Sequence, residues 1–315
     1  MARALIFPGQ GSQTVGMGKA IFDAFAAARE VHQEVDEALK QNLSKLMFEG
    51  PESDLTLTEN AQPAIMTASL AVFAVLRAEG GFDLKSRAAF VAGHSLGEYS
   101  ALAAAGTFSV ADTARLLKIR GTAMQKAVPV GQGAMAALMG LEMDAVTKVC
   151  AEAAAETGKV CQAGNDNAPG QIVISGAVEG VDAALKLAEA AGAKRALKLP
   201  VSAPFHCALM QPAADAMAEA LETVQVNAPA VPVMANVTAA PVEDPAEIKR
   251  LLVSQVTGMV RWRECVLQLK AQGVTDLAEV GSGRVLSGLA KRIDRELAAV
   301  NVGTPEEVDA FLKSL

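Results

Sequence analysis

The apolar run Ala88 to Ala92 passes directly into Gly93-His94-Ser95-Leu96-Gly97, and a helix-forming stretch, Leu96 to Ala105, follows at once. A strand that becomes a helix through so short a turn fits a parallel sheet covered by helices, the α/β architecture. The five residues also match the G-x-S-x-G elbow. Such a turn forces its central serine into strained backbone geometry, and glycines on either side relieve the crowding. It sets Ser95 at a helix N-terminus, where free N–H groups and the macrodipole favour developing negative charge. The Leu96 N–H then becomes one oxyanion donor. A purely structural turn serine remains the alternative reading of the same five residues.

The rest of the chain repeats the strand and helix alternation. Strands are expected at Ala4 to Phe7, Val231 to Asn236 and Val274 to Val280, and a buried helix at Ala64 to Arg77 with Pro63 in its first turn. Aromatic residues make up only 4%, which suits helices on a parallel sheet better than an all-β sandwich. Between about Gly131 and Leu199 the rhythm changes. Strands at 134–139, 160–164, 171–175 and 194–199 and helices at 143–155 and 180–191 give the β-α-β-β-α-β order of a ferredoxin-like unit. The expected organisation is a large α/β domain over 1–130 and 200–315, interrupted by a ferredoxin-like small domain over 131–199. One continuous sheet is the competing arrangement.

Composition excludes several function classes. With 51% hydrophobic residues over 315, the chain has the apolar surface for a full core. A net charge of −7 weighs against nucleic-acid binding. Cys150, Cys161, Cys207 and Cys265 lie far apart without a CxxC pair, so neither a disulfide framework nor a thiolate metal site is indicated. The apolar run Ala4 to Phe7 is too short for a signal peptide, and no stretch reaches the ~18 uninterrupted apolar residues of a membrane span. A cytoplasmic protein is expected, with no membrane association.

A serine nucleophile needs a general base, most often histidine. The chain has three. His94 adjoins Ser95 and should project away from it. His32 lies in Glu30-Val31-His32-Gln33-Glu34, which reads as a solvent-facing helix. His206 remains, in Ala203-Pro204-Phe205-His206-Cys207, where a packed core histidine is the alternative. No Asp or Glu between Ser95 and His206 is marked out as a triad acid, which leaves a carbonyl oxygen to orient the base. The segment Phe7-Pro8-Gly9-Gln10-Gly11-Ser12-Gln13 lacks the third glycine and the lysine of nucleotide loops. At a strand end it can bring a backbone N–H beside Ser95. On a helix over Ala111 to Gln125, Arg120 flanks the apolar stripe of Ala114, Leu117, Gly121 and Met124. A snorkelling surface arginine has the same spacing.

Taken together, Phe7 to Gln13, Gly93-His94-Ser95-Leu96-Gly97-Glu98, Gln62-Pro63, Arg120 with Met124, Pro204-Phe205-His206, Asn236-Val237 and Gly283-Arg284-Val285-Leu286 resemble the malonyl-CoA:acyl carrier protein transacylase family. The resemblance runs essentially end to end. It departs from the family pattern within Ser254 to Trp262, which lacks an aromatic and a proline, and at Ser282, where proline is frequent.

The resemblance implies an α/β-hydrolase-like large domain with a ferredoxin-like insertion, and a ping-pong transfer without metal or organic cofactor. Ser95 would carry the malonyl ester and His206 would act as base, oriented by the backbone carbonyl of Gln255. The N–H groups of Gln10 and Leu96 would form the oxyanion hole. Arg120 would clamp the malonyl carboxylate, a bidentate geometry that arginine suits and lysine does not, with Gln62 and Met124 beside it. The implied partners are malonyl-CoA and holo acyl carrier protein, and a monomer is expected. Arg284, Lys291 and Arg295, spaced along an expected helix, could add a basic patch for CoA phosphates or an acidic carrier protein; an ordinary solvated face is the alternative. A serine esterase and a non-catalytic docking module are the rival functions.

Overall fold

A computed structural model describes residues 2–201 and 203–315. Its strands are β1 (Ala2–Phe7), β2 (Phe90–Gly93), β3 (Gly133–Met139), β4 (Cys161–Ala168), β5 (Gln171–Ala177), β6 (Arg195–Lys198), β7 (Val233–Ala235), β8 (Ala240–Val242), β9 (Val274–Val280) and β10 (Ala298–Val302). The larger sheet runs β10-β9-β1-β2-β7-β8 and the smaller β4-β5-β3-β6. Every pairing in the larger sheet is parallel except β7 with β8, while the smaller sheet is antiparallel throughout.

Side chains alternate across a strand, so a strand covered on both faces must be apolar at every position. The run Ala4-Leu5-Ile6-Phe7 meets that demand. Leu5 and Phe7 join a core with Ile65, Leu102 and Leu117, while Ala4 and Ile6 join Trp262, Leu269 and Leu286 on the opposite face. The smaller sheet has a core of its own, in which Ala136 and Leu138 pack on Val146, Val149, Val181 and Ala184 from the helices Met143–Thr157 and Val178–Ala190. Its other face turns Met135 and Val173 toward the larger sheet. Reciprocal hydrogen bonds, Asp166 N–H to Val260 O and Val260 N–H to Gly164 O, both 2.9 Å, join β4 to the segment before the helix Trp262–Ala271.

β1 and β2 end side by side, with Phe7 opposite Gly93. The loops leaving both strands therefore emerge together at the carboxyl edge of the sheet, where ligands bind in open α/β folds.

Three expectations from sequence need correction. The helix around residue 64 is Thr58–Gly80, so Pro63 lies inside it rather than in its first turn. Thr58, Asn60 and Gln62 in its first turns are buried although polar, and Asn60 Nδ2 donates to Asp54 O at 2.9 Å. By length and composition this helix could cross a membrane, yet 83% of its most apolar window is packed inside the protein. The helix carrying Lys291 is Val285–Ile293, so Arg295 is not on it, and Arg284 pairs with Glu307 at 2.7 Å. Arg284 thus caps the start of that helix and Arg295 lies beyond its end, so the three do not share one helix as expected.

The third correction concerns His32, which is 1% exposed. Charged neighbours in sequence point outward, while Ala28, Val31, His32 and Val35 form one buried helix face at the helical spacing. The ring lies 5.2 Å from both Phe22 and Phe48, with Nδ1 3.0 Å from Ser44 Oγ. Burial pushes its pKa down to about 4. Below pH ~6.5 the unfolded chain binds a proton here that the folded chain refuses until about pH 4, so this contribution to stability is lost as pH falls through that window. His32→Leu should therefore lose less stability than wild type between pH ~7 and ~5, by on the order of 1 kcal/mol or more. Urea unfolding at the two pH values measures the difference, and identical losses would exclude a neutral buried imidazole.

Candidate active site

Ser95 occupies φ 54°, ψ −109° between β2 and the helix Leu96–Ala104. Left-handed backbone is unfavourable for a residue with a side chain and persists only where its surroundings enforce it. The flanking glycines are required by contact. A Cβ on Gly93 would lie 1.9 Å from the Gly97 carbonyl, and one on Gly97 would lie 2.2 Å from Phe7 O. Asn236, just past β7, pins the turn from the other side. Its Oδ1 accepts the Ser95 N–H at 2.8 Å and its Nδ2 donates to Gly93 O at 2.7 Å.

His206 reaches the serine as its residue type requires, with Nε2 2.8 Å from Ser95 Oγ. Nδ1 stands 2.9 Å from Gln255 O and 3.2 Å from Gly258 O. Carbonyls only accept, so Nδ1 carries the proton and Nε2 is left as the acceptor for the Ser95 hydroxyl. Burial, reinforced by the Arg120 charge, holds the imidazole pKa down at about 3. The ring is therefore neutral at physiological pH and able to take a proton.

Arg120 is not a surface arginine. It is 1% exposed, on the helix Val110–Ala127. The neighbouring Gly121 lets that helix approach Thr58–Gly80 closely, since a Cβ there would lie 2.6 Å from Thr58 O. The guanidinium donates from Nη1 to Gln62 Oε1 at 2.8 Å and from Nη2 to Ser95 Oγ at 3.0 Å and Gln255 Oε1 at 2.9 Å. Gln62 Nε2 lies 3.6 Å from Met124 Sδ, which turns its Oε1 toward Arg120. The hydrogen-bond partners of this buried cation are neutral, and among the described residues no carboxylate forms an ion pair with it.

These groups face a cavity of about 630 Å³, lined also by Gln10, Asn165 and Phe205. Gln10 stands on the loop after β1, held against the elbow so tightly that a Cβ on Gly9 would lie 2.6 Å from His94 O. Leu96 opens its helix, where backbone N–H groups have no intrahelical acceptor. The fold thus brings Ser95, His206, Gln255, Arg120, Gln62, Met124 and Gln10 to one place. Asn236, Glu98 and the Gly258 carbonyl join them with no role legible in the sequence, as does Asn167, whose Oδ1 accepts from His94 Nε2 at 2.8 Å. Among the described residues, no group of three His, Cys, Asp or Glu could hold a metal ion.

The arrangement has relatives. The acyl transferase domain family model matches residues 4–290. Malonyl CoA-acyl carrier protein transacylase of Bacillus subtilis (strain 168) is 45% identical over 312 residues, covering 99% of this chain and 96% of that protein. The crystal structure of acyl-carrier-protein-S-malonyltransferase from Bartonella henselae superposes with a TM-score of 0.97 at 56% identity, covering 100% of this chain and 99% of that one. A second solved structure, a type II PKS acyl-carrier protein in complex with its malonyl-transacylase, matches with a TM-score of 0.96 at 41% identity, covering 100% of both chains.

Proposed function

This chain belongs to the acyl transferase family, and from that premise we propose that it moves the malonyl group of malonyl-CoA to the phosphopantetheine thiol of acyl carrier protein through an ester on Ser95. The observation that carries the reading is the buried Arg120 guanidinium, which has no directly paired carboxylate among the described residues and stands 3.0 Å from the Ser95 hydroxyl. A desolvated cation beside a nucleophile is costly unless an anion arrives with the substrate. A terminal carboxylate on the acyl group supplies that anion, and acetyl does not.

The residues support the following sequence of steps. His206 Nε2 takes the Ser95 proton as Oγ attacks the thioester carbonyl. The Gln10 and Leu96 N–H groups stabilise the oxyanion. His206 then returns the proton to the departing CoA thiol. In the second half it deprotonates the carrier thiol, whose sulfur attacks the malonyl ester carbonyl, and it returns that proton to Ser95 Oγ as the ester bond breaks. Gln255 O holds the imidazole in the tautomer that both halves need. The parallel sheet with its strand–elbow–helix supports an α/β-hydrolase-like description of the larger part. The β-α-β-β-α-β order and separate core of the smaller sheet support a ferredoxin-like insertion, with divisions near 130 and 200.

Replacing Arg120 tests the reading. Net hydrogen-bond contributions to charged groups run at ~1.5–3 kcal/mol, and ~1.4 kcal/mol is a factor of ten. Arg120→Ala should therefore cost at least about tenfold in kcat/KM for malonyl-CoA, while acetyl-CoA use is kept or gained. Equal losses for both thioesters would make Arg120 structural. The esterase alternative predicts rapid malonyl-CoA hydrolysis without carrier protein, whereas intact mass should show a persistent acyl-enzyme that added holo carrier protein discharges.

A further inference from the structure

Glu98 lies in the first turn of the helix Leu96–Ala104, among Leu, Gly, Tyr, Ser and Ala, and is 2% exposed. The transfer chemistry gives it no proton to move, and a carboxylate this deep needs a reason to be there. Its Oε2 accepts two hydrogen bonds of 2.9 Å, from Asn236 N–H and from Gln255 Nε2. The Gln255 nitrogen also faces Ser95 O at 3.0 Å and Asn236 Oδ1 at 3.4 Å. An amide nitrogen donates and cannot accept, so this ring of acceptors decides which end of the carboxamide points which way. The remaining end, Oε1, is left to hold Arg120 Nη2 at 2.9 Å. Glu98 takes both donors on one oxygen, and a carboxyl keeps such an acceptor whether or not it is ionised, so the lock does not depend on its charge.

We propose that Glu98 is a positioning residue: it locks the Gln255 carboxamide, and through it sets the Arg120 guanidinium beside Ser95 to receive the substrate carboxylate. The proposal rests on the reading of Arg120 as the partner of that carboxylate. Gln255 then contributes at both ends, its backbone carbonyl orienting His206 and its side chain orienting Arg120.

A pH effect on selectivity follows. Burial pushes the Glu98 carboxyl up to about 7, against the pull of its N–H donors and of Arg120. The titratable groups facing it are Arg120, Tyr99 beside it on its own helix, and Cys265 on Trp262–Ala271. Burial raises the Tyr99 hydroxyl to about 12 and the Cys265 thiol well above its ordinary range, so both stay neutral. Only Arg120 is charged. Above pH ~7 an ionised Glu98 offsets part of that charge and opposes a second carboxylate; below it the cation is unopposed. Preference for malonyl over acetyl should fall as pH rises.

The readout is the ratio of kcat/KM for malonyl-CoA to that for acetyl-CoA, from about pH 6 to 8. Ionisations of the shared CoA portion cancel in it. In wild type the ratio should fall several-fold across this range. Glu98→Gln, which keeps the size and an acceptor oxygen, should flatten it. Glu98→Ala should lower it by about fivefold or more at every pH, a loss of malonyl preference rather than of overall rate. The same pH dependence in Glu98→Gln as in wild type, or equal losses for both thioesters in Glu98→Ala, would overturn the proposal. Should Glu98→Ala fail to fold, Glu98→Gln decides alone. Intact mass of the wild-type acyl-enzyme separates the two readings. A missing malonyl adduct would sink the transfer function itself, whereas a normal adduct with unaltered ratios would sink only the role of Glu98.

Discussion

Mixed briefly with malonyl-CoA, the wild-type chain is expected to gain one malonyl group, and Ser95→Ala none. The substitution is unusually clean. Alanine and serine carry the same Cβ, so the φ 54° backbone is no more strained in the variant. The turn is held by groups other than the hydroxyl, namely Asn236 on the Ser95 N–H and the Gly93–Gly97 contact. Arg120 keeps its bonds to Gln62 and Gln255 when Oγ is gone. What disappears is the nucleophile, and transfer should fall by at least ~10⁴-fold, the order seen when a catalytic serine is removed. Cys207, next to His206, is the obvious substitute. It is fully buried, its Sγ donates to Pro204 O at 3.2 Å, and burial pushes its thiol up, so it is not a thiolate. Peptide mapping of the adduct settles the matter: a label on Cys207 would overturn the assignment to Ser95.

Much of this site could be read from sequence because its constraints are local. Glycines either side of Ser95 report a backbone that tolerates no side chain, and the four-residue apolar run of β1 reports a strand buried on both faces. The sequence around His32 gives a wrong reading of its burial. His32 reads as exposed because its neighbours in sequence are charged, whereas residues three and four apart share a helix face, and there His32 stands with Ala28, Val31 and Val35. Its ring packs on Phe22 and Phe48, away from the cavity that Ser95 and His206 line. Asn236 and Glu98 were not legible as site residues, because their roles exist only across contacts 138 to 157 residues apart in sequence. The one local trace was a single carboxylate in an otherwise apolar helix, Leu96 to Ala105. Arg120 could be placed beside an apolar stripe by spacing, but its complete burial depends on Gly121 letting two helices close over it.

His206→Ala should remain folded and lose transfer by ~10²–10⁴-fold, the usual worth of a positioned general base. The imidazole makes its three polar contacts through two ring nitrogens, one to Ser95 and one to the paired carbonyls of Gln255 and Gly258. Removing it leaves the serine proton without an acceptor, while Asn236 continues to hold the elbow. His32→Leu is the control. That ring touches Phe22, Phe48 and Ser44 and does not line the cavity, so the variant should lose stability and keep its turnover per folded molecule. Similar losses of turnover in both folded variants would refute His206 as the base. The pH profile adds a second, independent check. An ordinary histidine base would switch off kcat/KM as pH falls through ~6.5. Here burial and Arg120 hold the imidazole at about 3, so the free enzyme should keep its base well below that point. A bound malonyl carboxylate would neutralise Arg120 and remove part of that downward push, so the acid limb of kcat should lie above that of kcat/KM. Arg120→Ala should abolish the separation, because with no cation beside His206 the substrate carboxylate has nothing to neutralise. If the two limbs coincide in wild type, Arg120 does not meet the carboxylate next to the base, and the clamp must be sought elsewhere in the cavity.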